Sequence, residues 1–142
     1  MVSVLFLCVH NAGRSQMAAG FMRQLSDGEF DVFSGGTEPT ESLNPVVVAV
    51  MAEKGVDISD QKPEKWTDER LRAADVVVTM GCGDTCPVVP GKRYVDWVLD
   101  DPSGKPLQAV RVIRNEIETL VESLLAELTG PSDISLAKSD IA

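Results

Sequence analysis

Cys8-Val9-His10-Asn11-Ala12-Gly13-Arg14-Ser15 is the stretch that decides the reading of this chain. In front of it, Val2 to Leu7 has the apolar character of a buried strand, and behind it Gln16 to Leu25 spaces its apolar residues as a helix does. The octet is therefore the loop of a strand–loop–helix unit. A helix N-terminus reached in this way is an anion site, because its first amides lack intrahelical acceptors and its dipole favours negative charge. A cysteine opens the loop and an arginine closes it six residues later, so both can face one bound oxyanion. Arg14 offers a planar fork that matches two oxygens of a tetrahedral anion. The backbone of Val9, His10, Asn11, Ala12, Gly13 and Arg14 supplies the candidate oxyanion cradle. Converging amides and a guanidinium favour the thiolate of Cys8, the nucleophilic form, beneath a phosphorus or arsenic centre.

A bland alternative makes Cys8 an inert strand-end thiol and Arg14 a solvated first-turn charge. Asn11 and Gly13 argue against it, since they stand where such a loop needs unusual dihedrals. Ser15 can cap the helix or donate a hydrogen bond to the Cys8 sulfur. His10 is the only histidine, and it is expected to point outward with no catalytic role.

The 142 residues suit one domain over residues 1–128, with a mobile tail over 129–142 where periodicity is lost. With 44% hydrophobic and 25% charged residues the chain reads as soluble. No apolar run approaches a membrane span, and Val2 to Leu7 is too short for a signal-peptide core, so a cytoplasmic protein without membrane contact is expected. A net charge of −9 argues against nucleic acid as a partner. It also repels an anionic substrate, so the local amides and Arg14 must outweigh the global field, helped by salt screening beyond about 8–10 Å. Three cysteines leave one over in any disulfide framework, as in a reducing compartment where cysteines are catalytic, redox-active or metal-bound.

Further along, Phe30 to Ser34 reads as a second strand ending in a Gly35-Gly36-Thr37 turn. Asn44-Pro45 starts a helix with Val46, Val47, Val50 and Met51 as its apolar stripe and Gly55 as its stop. Thr67 is the N-cap of a helix through Ala73. Asp75 to Met80 has the continuous β-branched character of a central parallel strand, and Arg93 to Val98 reads as a fourth strand. A last helix from Leu107 to Leu128 carries Val110, Ile113, Ile117, Leu120, Leu124 and Leu128 on one face. Alternating strands and helices predict an α/β fold, a parallel sheet with helices on both faces. Sites in such sheets form at the carboxyl ends of strands, so Cys8–Ser15, Gly81–Pro87 and Leu99–Pro102 are expected to cluster.

Gly81-Cys82-Gly83-Asp84-Thr85-Cys86-Pro87 holds the other two cysteines. On one helical turn, a spacing of four brings Cα atoms to about 6 Å, within disulfide range. A thiol pair on a pliable loop beside a thiolate suggests a relay in which one cysteine attacks an adduct on Cys8 and the other resolves the disulfide. Two unreactive thiols are the bland alternative, and zinc held by Cys8, His10, Cys82 and Cys86 a second. Cys-x3-Cys is a poor zinc knuckle, and such ligation would consume the anion loop, so no metal is expected. Asp100-Asp101-Pro102 is a common turn that also places a carboxylate where it could protonate a leaving oxygen.

Cys8–Ser15, Thr79-Met80 leading into Gly81–Pro87, and Asp100-Asp101-Pro102 together resemble the arsenate reductases of the low-molecular-weight tyrosine-phosphatase fold, over the chain to about Leu128. The resemblance implies a four-stranded parallel sheet in order 2-1-3-4. It also implies arsenate as substrate, Cys8 as nucleophile, relay roles for Cys82 and Cys86, Asp101 as the acid, and thioredoxin as reductant. The thioredoxin-coupled branch often spaces its relay cysteines more widely than Cys82 and Cys86. A related branch uses mycothiol with a mycoredoxin and needs only the loop cysteine. Some members hold potassium partly through a glutamate of the first helix. The matching position here is Ala19, so neither potassium nor any other cofactor is expected, and the chain is expected to act as a monomer. A phosphotyrosine phosphatase would need Cys8, Arg14 and Asp101 but neither Cys82 nor Cys86. Phosphatases of this fold usually set aromatic residues after the Asp-Pro, whereas Ser103-Gly104-Lys105 follows here and favours a small inorganic substrate. A non-enzymatic arsenite- or zinc-binding sensor built from the three thiols is the third reading.

Overall fold

The computed structural model describes residues 1–81 and 92–129. In chain order the elements are β1 (Val2–Cys8), α1 (Arg14–Ser26), β2 (Phe30–Gly36), α2 (Pro45–Ala52), α3 (Asp68–Ala73), β3 (Val76–Thr79), β4 (Arg93–Asp96) and α4 (Leu107–Thr129). The strands form one sheet in the order β2-β1-β3-β4, with every pairing parallel. β1 has a partner on each side, which is why its apolar run is unbroken: Val4 through Cys8 are all buried. Alternate residues divide between two cores. Val4, Phe6 and Cys8 join Val78 beneath α1, α2 and α4, while Leu5, Leu7 and Val77 pack with Leu71 and Ala74 on the face of α3. From β1 the chain goes first to β2 on one side and later to β3 on the other. The loop after β1 therefore lies at the point where the sheet order reverses, beside the carboxyl ends of β3 and β4.

The local signals act as their chemistry requires. Asn44 Oδ1 accepts from Val46 N–H at 3.0 Å with Pro45 next to it, Thr67 Oγ1 accepts from Arg70 N–H at 3.1 Å, and Gly55 adopts φ +76 beyond α2. α4 buries Val110, Ile113, Ile117 and Leu124, with Val121 fully covered where the stripe predicts Leu120.

Two strand ends differ from expectation. β2 runs on through Gly35 and Gly36 instead of turning there, because Gly36 N–H donates to Glu64 O at 2.8 Å and its carbonyl accepts from Trp66 N–H at 3.3 Å. β4 stops at Asp96, short of Val98. Trp97 turns into the core, its ring 5.9 Å from that of Phe6, while Val98 is 92% exposed. Thr129, expected to open the tail, closes α4, and residues 130–142 lie outside the described part. Among the described residues no helix is long and apolar enough to cross a membrane.

Candidate active site

The loop after β1 owes its shape to where its carbonyls go. Cys8 O accepts from Thr37 N–H at 3.2 Å, Val9 O from Glu38 N–H at 2.8 Å, His10 O from Thr40 N–H at 3.2 Å and Ala12 O from Asn44 N–H at 3.1 Å. All four donors lie outside the loop. A peptide unit is planar and trans, so a carbonyl turned outward turns the next residue's N–H inward. The amides of Val9, His10, Asn11 and Gly13 therefore face the interior, and Asn11 N–H accordingly points at Cys8 Sγ from 3.2 Å. Asn11 adopts φ +52, and this single left-handed residue makes the amides converge into an anion-binding nest. Gly13 has φ −141 and is no left-handed residue. It is small because Pro102 Cγ lies 2.7 Å from where its Cβ would stand.

Cys8 Sγ sits at the floor of this ring, 2% exposed and 2.9 Å from Ser15 Oγ. Asn11 Nδ2 donates to Ser15 Oγ at 2.6 Å. With that oxygen accepting from Asn11, the hydroxyl proton is free to point at the sulfur. Ser15 does not cap α1: Gly13 occupies the N-cap position, without a side-chain bond. Asn11 Oδ1 in turn accepts from Gln16 Nε2 at 3.1 Å and from Glu64 N–H at 2.9 Å, and Gln16 Nε2 also donates to Lys62 O at 3.2 Å. Gln16 is 1% exposed, and its Oε1 has no hydrogen-bond partner among the described residues. Sequence reasoning missed this residue. The helical spacing gives no signal for it, since it sets Gln16 with Arg23 opposite the apolar face of Met17, Phe21 and Leu25.

Arg14 is 6% exposed, its Nη1 donating to Leu99 O at 3.4 Å and its Nη2 lying 3.9 Å from Asp101 Oδ2. Asp101 is about half exposed, and its Oδ1 accepts from Ser103 N–H at 3.0 Å. The fold thus brings Cys8, Arg14, Ser15 and Asp101 to one end of the sheet, and within the Asp100-Asp101 pair it is Asp101 that reaches the arginine. His10 is half-buried, with Nδ1 3.2 Å from Glu38 O. A carbonyl only accepts, so Nδ1 carries the proton, and the ring, expected to point outward, forms part of a cleft wall. This cleft of about 290 Å³ is also lined by Thr40, Ser42, Asn44, Pro102 and Ser103. Cys82 and Cys86 lie outside the described residues, as do the zinc set and the relay that would include them.

Residues 3–132 match the family model for low molecular weight phosphotyrosine protein phosphatase. A glutaredoxin arsenate reductase of Synechocystis sp. is 36% identical over 132 residues, covering 91% of this chain and 100% of the relative. Among solved structures, the thioredoxin-dependent arsenate reductase of Corynebacterium glutamicum superposes with a TM-score of 0.80 at 41% identity. That match covers 90% of this chain but 62% of the other, so the chain spans less than two thirds of that protein. An arsenate reductase in the phosphate binding state gives a TM-score of 0.80 at 35% identity, covering 91% of this chain and all of the other.

Proposed function

Since the chain belongs to the low molecular weight phosphotyrosine protein phosphatase family, we propose that its loop serves as an arsenate reductase, with Cys8 as nucleophile. One observation carries the reading. Cys8 Sγ lies buried beneath inward-facing amides, with donors from Asn11 and Ser15 at 3.2 and 2.9 Å, and Arg14 and Asp101 stand together at the same end of the sheet. Asn11 N–H and the Ser15 hydroxyl stand against the attacking sulfur, and Arg14 grips the oxyanion it attacks. As the S–As bond forms, an As–O bond breaks, and Asp101 hands its proton to the departing oxygen, which leaves as water.

The second half of the reaction belongs to the thiols. Cys82 attacks Cys8 Sγ, the S–As electron pair stays on arsenic, and As(V) departs as As(III) arsenite. Cys86 then attacks Cys82, releasing Cys8 and leaving a Cys82–Cys86 disulfide for an external dithiol. In sum, arsenate and two thiols become arsenite, a disulfide and water. The run Ser103-Gly104-Lys105 after Pro102 offers no aromatic side chain to hold a phenyl ring, which supports a small inorganic substrate over an aryl phosphate. The relatives' names point to different protein reductants, thioredoxin for one and glutaredoxin for another. Thioredoxin is the reductant favoured here, because the relay ends on a disulfide within this chain.

The test is arsenate-dependent NADPH oxidation, with thioredoxin and its reductase compared against mycothiol with mycoredoxin. Turnover with thioredoxin, abolished in Cys8→Ser and nearly so in Arg14→Lys, is the expected result. Turnover with mycothiol alone assigns the one-cysteine mechanism instead. Hydrolysis of aryl phosphates without arsenate reduction overturns the reading in favour of a phosphatase.

A further inference from the structure

Arg14 meets the end of β3 at a position with no side chain. Met80 N–H donates to Leu7 O at 2.8 Å, carrying the ladder one residue beyond β3, and Gly81 then turns the chain at φ +83. A Cβ on Gly81 would lie 2.1 Å from Arg14 Nη1 and 3.2 Å from Cζ. The guanidinium occupies the space that any other residue would fill. The same Nη1 reaches Leu99 O, beyond β4, at 3.4 Å. One arm of the fork is thus lodged against the carboxyl ends of two strands, and Nη2, on the side of Asp101, is left for an anion.

We infer that Gly81 is a positioning residue for the oxyanion clamp, its missing side chain letting the backbone after β3 set the plane of the Arg14 guanidinium. This rests on Arg14 gripping the oxyanion, as proposed above. The physical point is an asymmetry. The atom that a Cβ would strike is the far end of a flexible side chain, so the fold can absorb the substitution by swinging Arg14 aside. Bidentate recognition cannot absorb it, because planar alignment is what the fork supplies.

The experiment compares Gly81→Ala and Gly81→Asn, each made with Arg14 present and in an Arg14→Ala background. Asparagine tolerates positive φ far better than alanine, which separates the added Cβ from backbone strain. Two readouts are taken: sulfate affinity by calorimetry, and the ratio of iodoacetate to iodoacetamide alkylation rates at Cys8, mapped by mass so that Cys82 and Cys86 are not counted. With Arg14 present, both variants should weaken sulfate at least tenfold and lower the ratio, while the melting temperature of Gly81→Asn stays near that of the parent. With Arg14→Ala, residue 81 should have no further effect on the ratio, since its influence passes through the arginine. Parent-like sulfate affinity in Gly81→Asn overturns the inference, as does an equal loss in both backgrounds. If the 81 variants fold only in the Arg14→Ala background, the fold does not absorb the clash, residue 81 is structural, and the inference falls. Failure to fold in both shows that the backbone alone demands glycine, and the inference falls. Should Arg14→Ala by itself leave sulfate affinity and the ratio unchanged, it is the clamp that fails.

Discussion

Ser15 Oγ stands 2.9 Å from Cys8 Sγ while accepting from Asn11 Nδ2 at 2.6 Å, so when Cys8 attacks as the thiolate the hydroxyl at the start of α1 donates to the last residue of β1. The serine owes this orientation to Asn11, which is itself held by Gln16 and Glu64. The sulfur is therefore served by a donor aligned before any substrate arrives.

Ser15→Ala should leave the fold intact and slow the attack on arsenate. A hydrogen bond to a charged group is worth about 1.5–3 kcal/mol, so the single-turnover rate should fall roughly 10- to 100-fold. Ser15→Thr, which keeps the hydroxyl, should recover part of the loss. A rate in Ser15→Ala within twofold of the parent would mean that the bond to sulfur contributes nothing to the reaction.

Asp101→Asn should cost about 10²–10⁴-fold in turnover, the loss typical of a missing general acid. Asp101 Oδ2 is 3.9 Å from Arg14 Nη2, whereas Asp100 is exposed, so Asp100→Asn should be nearly silent. The two variants assayed side by side across pH decide the assignment, and the reverse ranking would transfer the acid role to Asp100.

What the sequence disclosed and what it withheld follow from chain distance. Cys8, Asn11, Arg14 and Ser15 are neighbours in one strand–loop–helix unit, so composition and spacing predict their meeting. Strand and helix alternation predicts a parallel sheet but no strand order; the β2-β1-β3-β4 order was legible only through the family resemblance. The seat of Arg14 could not be read in this way. It is made by Leu99 O, 85 residues on, and by a glycine whose function is to be absent as a side chain. Gln16 was hidden for a related reason: helical spacing sets it with Arg23 on the polar side of α1, and its burial comes with Lys62 O and Asn11 Oδ1, groups outside that helix that its Nε2 reaches. The end of β4 misled because Trp97 and Val98 keep the aromatic and β-branched character of a strand after the ladder has stopped at Asp96.

Cys86→Ser tests the relay. If the relay runs from Cys8 through Cys82 to Cys86, this variant should reduce one arsenate per enzyme and then stall as a Cys8–Cys82 disulfide. The parent should finish as Cys82–Cys86, a short loop whose closure requires the segment to distort. Mass mapping after a single turnover reads both species. Normal cycling of Cys86→Ser with thioredoxin would make Cys86 a bystander.

Acid stability offers a prediction independent of catalysis. Glu53, next after α2, receives Arg111 Nη2 and Arg114 Nη1 from α4, each at 2.7 Å. The hydrogen bonds from Arg111, then those from Arg114, hold its carboxyl down to about 2 from the usual 4.5. A carboxyl lowered on folding contributes stability that is fully present above its unfolded value and is lost as pH falls through its folded value. Glu53→Gln should therefore melt below the parent at pH 7. The gap should begin to close beneath about pH 4.5 and be largely gone near pH 2. Added salt should narrow it at neutral pH, since Glu53 and Arg111 are both partly exposed. The buried Arg114 keeps its bond to Val50 O at 2.9 Å in either protein, so the α2–α4 contact itself should survive. Melting curves of both proteins from pH 2 to 7 provide the measurement. A gap that stays constant across that range would show that the carboxylate's charge plays no part in joining the two helices.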